Sequence, residues 1–356
     1  SEISADGLEI SYGNIINDYK IVNLINTTAT FNNAKFYQGA SGVYLKGADV
    51  TIKNSRFEDF GLWALEADSL NSLVLENNTF KNNGWVYPTR PFWQQPSSLP
   101  APAAVKNFIP QAKNNVFDNN IINAMSVTGQ INNLGVIDNA GDWPWVSGGL
   151  TVTASGTLEI KAGSKLKMLA GSTITVNGAL NVLGVDGQPV SITSYHDDSD
   201  GTDVDLLNNQ PAGKEGGEWR QIIFESVATS TLSYLNVSFA NGTPRDTNSA
   251  GSIFINNTPL LLNNLTVRYS RPSSVALQLK NTNTIITGGL IKNETKILFD
   301  PSSASYGVGI LIDGGAPNLS SLIIDTFTYG IIRKNNPKET RDGINFINVD
   351  KQIMAW

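Results

Sequence analysis

Residues 148–184 read GGLTVTASGTLEIKAGSKLKMLAGSTITVNGALNVLG. No apolar stripe of helical period runs through them. Short apolar-polar alternations recur instead, each bounded by Gly, Ser or Asn. Leu158, Leu166, Ile174 and Leu180 each follow a small or polar turn, at steps of 8, 8 and 6 residues. Strands of four or five residues are too short to be stable as isolated hairpins, but a coiling chain stacks each on its copy one lap later. The 22 residues from Leu158 to Leu180 therefore read as one lap of a solenoid. The predicted fold is all-β, a parallel β-helix of about 22 residues per coil with loop excursions.

The same period runs outward in both directions. An Asn-x-x-Phe ladder places Phe36, Phe57 and Phe80 at steps of 21 and 23, each one coil, with the phenyl rings stacked inside and Asn at the turns. The next step, to Phe117, is 37 residues, so about 15 are surplus to one lap. The surplus falls in a Pro-rich excursion at 84–105 that holds Trp85, Tyr87, Arg90, Phe92 and Trp93. Exposed, these aromatics with Arg would form a platform for sugar rings or a protein partner; folded back, they would cover a coil face or cap the stack. A second long step, from Ile291 to Ile324, marks an excursion near 292–306. The expected organisation is coils over 1–140 and continuing coils over 141–356, the latter with an acidic loop at 195–218.

Composition agrees. Asn outnumbers Lys and Arg together (25), and Gly reaches 32, as a chain of tight turns requires. A net charge of −6 without a basic run argues against nucleic acid and against an anionic membrane as partner. There is no Cys, and no stretch approaches the ~20 apolar residues of a membrane-spanning helix, so no membrane insertion is expected. The chain opens on SEISADGLEI without a signal peptide and stops at IMAW. It reads as a mature protein or, better, as part of a larger polypeptide.

Over residues 120 to 240, NAMSVTGQI, DWPWVSGGLTVTASGTLEIKAGSKLKMLAG, PVSITSYHDDSDGTD and GEWRQIIFES follow in turn. This order resembles the right-handed parallel β-helix modules of large secreted bacterial proteins, many of them adhesin-like. The resemblance implies a right-handed coil and an extracellular or cell-surface location. It implies no chemistry. Trp143 and Trp145 read as structural, closing the stack where a new run of coils starts.

Two features invite a site. Asp197, Asp198, Asp200, Asp203 and Asp205 lie within nine residues around Gly201, the kind of oxygen ligands that Ca²⁺ needs; the alternative is a solvated acidic loop without an ion. Any Ca²⁺ there would be structural. His196 is the only histidine, which excludes most His-dependent catalysis, and no activated Ser with a supporting acid accompanies it. Late polar residues (Asp325, Arg333, Lys334, Arg341, Asp342) read as solvation of a coil edge. No catalytic residue is assigned, and no Asp/Glu pair stands at equal strand position as a glycosidase needs. The expected function is a non-catalytic extracellular module that adheres to a glycan or another surface ligand through its excursions. A polysaccharide lyase or glycoside hydrolase on the same scaffold is the alternative, and a structural spacer the third reading.

Overall fold

A computed structural model describes residues 2–11, 20–84, 101–138, 143–200, 203–204, 219–225, 230–240, 251–268, 274–294 and 307–355. Every strand in it pairs in parallel with its counterpart one lap away, from Glu2–Asp6 to Lys351–Ala355. The chain winds through roughly a dozen such laps as a parallel β-helix.

Each lap has three sides. In the lower coils the first side holds Thr28–Asn32, Asp49–Lys53 and Ser72–Glu76, and the second Lys35–Gly39, Arg56–Phe60 and Thr79–Lys81. Ser41–Lys46, Leu65–Asp68 and Ala103–Lys106 form the third. Higher up, Thr157–Lys161, Lys165–Met168 and Thr173–Val176 are one lap, and Leu158 stacks on Leu180 as the 22-residue period requires. Leu158, Leu166, Ile174 and Leu180 are all fully buried. The long steps are also single laps: Phe80 pairs with Phe117, and Ile291 with Ile324. The stack resumes at Ala103–Lys106, inside the range that the sequence assigns to the first excursion.

Inside, Phe36, Phe57, Phe80 and Phe117 form a stack with ring centroids 4.9, 4.8 and 5.1 Å apart. It passes to Trp143 and on to Trp145, both buried. Offset or edge contacts of this kind add about 0.5–1.5 kcal/mol per pair beyond area burial. The turns carry their own ladder. Asn33, Asn54, Asn77 and Asn114 adopt left-handed backbone, φ between 51° and 57°, a conformation open to Asn at small cost. Asn77 donates to Asn54, and Asn114 to Asn77, each at 3.2 Å.

A second asparagine ladder is buried. Asn78 accepts from Ser55 N–H (2.9 Å) and donates to the Ile52 carbonyl (2.9 Å), while its own N–H goes to Asn115 (3.1 Å). Asn83 and Asn120 repeat the pattern at the next corner. Each amide thereby satisfies backbone groups that a turn would leave unpaired in an apolar interior.

The boundary expected near residue 140 is a seam in a continuous stack. Met125–Ile131 splits its pairing there: Met125 and Ser126 meet Trp145 and Val146, while Gly129–Ile131 meets Leu150–Val152. The second side of the upper run thus takes over from the start of the lower third side. Among the described residues no helix is long and apolar enough to cross a membrane.

Two substitutions test the interior. Phe57→Ala opens a cavity in the ring stack and should cost about 3–5 kcal/mol. Asn78→Ala strands the Ser55 N–H and the Ile52 carbonyl and should cost about 1–3 kcal/mol. Chemical denaturation of the two variants against the parent chain measures both.

Candidate functional site at the excursion corner

Among the described strands, five successive pairs are separated by more than seven residues, at 12–19, 82–102, 195–220, 239–252 and 293–307. All five join the second side of the coil to the third. At the other two corners the described strands are separated by at most seven residues. The excursions therefore leave the stack along one edge, a line that steps sideways at the seam. Gly84 and Ala101, the roots of the aromatic excursion, lie on it: Gly84 N–H bonds to the Phe60 carbonyl (2.8 Å), and Ala101 is buried. Trp85, Tyr87, Arg90, Phe92 and Trp93 themselves lie outside the described residues.

The start of the acidic loop folds back over this edge. After Val190–Ser194, Tyr195 N–H bonds to Met168 O (2.9 Å), and Val204 O accepts from Asn123 N–H (2.7 Å), so the chain climbs back towards earlier laps. Tyr195 and Val204 pack with Ala101, Ile122, Ala124, Val146 and Leu169 in an apolar cluster separate from the main core. The cluster links the foot of the aromatic excursion to the acidic loop.

Beneath the loop lies a side chain that strand alternation points outward. Lys167, between the inward Leu166 and Met168, is fully buried, and its Nζ donates to the Asp197 carbonyl at 2.6 Å. Burial pushes the ammonium below the usual lysine pKa, and the carboxylates of Asp197, Asp198, Asp200 and Asp203 pull it the other way. The loop thus carries a cation of its own. Asp197 is buried as well, and its carboxylate accepts from Thr193 Oγ1 (2.6 Å), the Ser199 N–H (3.0 Å) and the Ser199 hydroxyl. Lys165 reaches Asp200 at 3.6 Å.

The five aspartates expected as a set are therefore divided. Asp197 holds the loop together from within, Asp200 faces Lys165, and Asp198 and Asp203 lie close enough to Lys167 to influence its charge. Asp205 is outside the described residues. Among the described residues no three His, Asp or Glu side chains group as a metal-binding set. His196 is half-buried against Tyr195, ring centroids 4.1 Å apart. The late polar residues pair at the coil edge: Asp325 with Lys292 (3.4 Å), and Arg333 and Arg341 both with Glu339 (2.7 and 3.6 Å).

Sequence reasoning missed Lys167, because its burial comes from a loop that returns from a later lap. The shared corner had a signal in the sequence, since each break follows the second strand of its lap. A family model described as a right handed beta helix region matches residues 3–162, the lower run, the seam and the first strands beyond it. The chain is accordingly a right-handed parallel β-helix. No curated protein and no solved structure matches it.

Lys167→Met keeps the aliphatic packing and removes the charge. It strands the Asp197 carbonyl, so unfolding measurements should show a loss of about 1–3 kcal/mol, and proteases should cut within 195–204 more readily. The pH dependence gives a second signature. Because the folded-state pKa of Lys167 is lowered, the folded chain releases this proton at lower pH than the unfolded chain. Between the two values the unfolded state binds more protons, so stability rises with pH there. The stability of the parent relative to Lys167→Met should climb as pH approaches the ordinary lysine range.

Proposed function

We propose that the chain is a non-catalytic extracellular module of a bacterial cell-surface protein, which binds a glycan through the excursions along one edge of its β-helix. The observation that carries this reading is the shared corner: among the described strands, every gap longer than seven residues falls between the same two sides. A scaffold that only lengthens a fibre has no need to gather its insertions on one edge. Loops gathered on one edge of a rigid stack can contact an extended ligand together.

Within this reading, Trp85, Tyr87, Phe92 and Trp93 supply faces for pyranose rings, and Arg90 a hydrogen-bonding cation. The start of the acidic loop is a prop. Lys167 and Asp197 spend their polar atoms inside the loop, and both are buried. Ca²⁺ belongs to the reading only as a structural ion of the acidic loop at 195–218.

A glycan array probed with and without Ca²⁺ tests the proposal. The parent chain should retain a defined set of glycans, and the double substitution Trp85→Ala/Trp93→Ala should weaken retention at least tenfold, equivalent to about 1.4 kcal/mol. The melting temperature should fall on chelation with EDTA if the ion orders the loop. Release of shortened oligosaccharides would replace binding with cleavage, and retention of no glycan would leave a spacer.

A further inference from the structure

The first side of the coil is interrupted at the seam. Gln111–Lys113 pairs with Val74–Glu76 on one flank, and Leu134–Ile137 pairs with Thr157–Ile160 on the other, but no rung joins Gln111–Lys113 to Leu134–Ile137. The cause is local. The turn entering this lap, 107–110, has four residues where 47–48 has two, and it ends in Pro110, which carries no N–H. Ile109 leans over Gly135, whose Cβ position would lie 2.7 Å from Ile109 Cγ1, so only glycine leaves room for it.

The result is a cleft of about 680 Å³ between the two strands, with Leu75 and Trp145 among its lining residues and Glu76, Gln111 and Lys113 at its rim. Elsewhere along this side each strand from Thr28–Asn32 to Asn318–Asp325 has a partner above and below; here two parallel strand edges face a groove. Open edges are normally blunted by charge, proline or a covering segment. Leu134–Ile137 reads Leu-Gly-Val-Ile, with no charge and no proline, and Leu134 is 66% exposed at the lip.

We infer that this seam binds one extended peptide strand, which joins the sheet along Leu134–Ile137 and Gln111–Lys113 and restores its continuity. A glycan is the poorer match. Trp145 is 2% exposed and its indole N–H is taken by the Asp138 carbonyl at 3.1 Å, so it offers no face to a sugar. The rim also sets the peptide's character. Lys113 stands in register with Glu76 and adds to the pull on its carboxylate, which Lys53 holds at 2.9 Å, so two cations share one anion there. An apolar–acidic alternation fits, the apolar side chains beside Leu134 and a carboxylate opposite Lys113. The inference is independent of the glycan reading, which concerns the opposite corner of the coil.

Residue-resolved hydrogen exchange on the intact chain tests it. The probe is a synthetic peptide copying residues 155–162, SGTLEIKA, whose central strand already pairs with the other edge of Leu134–Ile137 and carries Glu159. In the free protein, gap-facing amides of Gln111–Lys113 and Leu134–Ile137 should exchange at least tenfold faster than those of Val74–Glu76. The peptide should slow them at least tenfold and saturably. A version with proline in place of its Leu and Ile should not. Leu134→Lys should weaken the protection at least tenfold without changing the melting temperature. Amides already protected in the free chain would overturn the inference, as would no slowing at saturating peptide. Protection conferred by an oligosaccharide panel and not by the peptide would assign the cleft to carbohydrate.

Discussion

A strand of four or five residues has too few hydrogen bonds to persist alone, so each strand of this chain depends on a partner one lap below and another one lap above. That requirement fixes the lap near 22 residues, places Leu158 over Leu180 and Phe57 over Phe80, and lets asparagine amides bridge the turns between coils. The charges contribute little by comparison. Ion pairs such as Lys53–Glu76 and Lys81–Asp118 lie partly in solvent, and pairs of that kind are worth about 0–1 kcal/mol each.

The same requirement decides where the chain may vary. A strand cannot lengthen without breaking register with both neighbours, but a corner can release any number of residues if the chain re-enters at the same level. Among the described strands one corner takes every gap longer than seven residues, and the start of the acidic loop bends back over it to bury Lys167 and build a small second core. The seam is the place where the requirement fails. The four-residue turn at 107–110 prevents the first side from closing, and the groove that results is a direct consequence of a missing rung.

Most of the fold was legible because its signal is periodic and local. The Phe ladder, the Asn turns and the two long steps from Phe80 and Ile291 could all be counted from the sequence, and the pairings of Phe80 with Phe117 and Ile291 with Ile324 bear the counting out. The outward face was less legible. Lys167 obeys the alternation that sends it towards solvent, and its burial follows only from a loop that returns across earlier laps. Asp197 looks like its acidic neighbours in the sequence, yet Thr193 and Ser199 commit it to the inside of that loop. Asn78 and Asn83 look in the sequence like any other asparagine near a turn, and their full burial depends on which flank of the turn faces the core.

The lap itself can be tested by removing one. Residues 49–71 form a complete coil, since Asp49 stacks on Ser72, 23 positions later. Their excision should leave Phe36 stacked on Phe80 and yield a shorter chain with the same β-sheet spectrum per residue and a cooperative melt. Excision of residues 49–60 alone, about half a coil, should abolish cooperative folding, because every later strand then meets the wrong partner. Equal disruption by the two deletions would contradict the account.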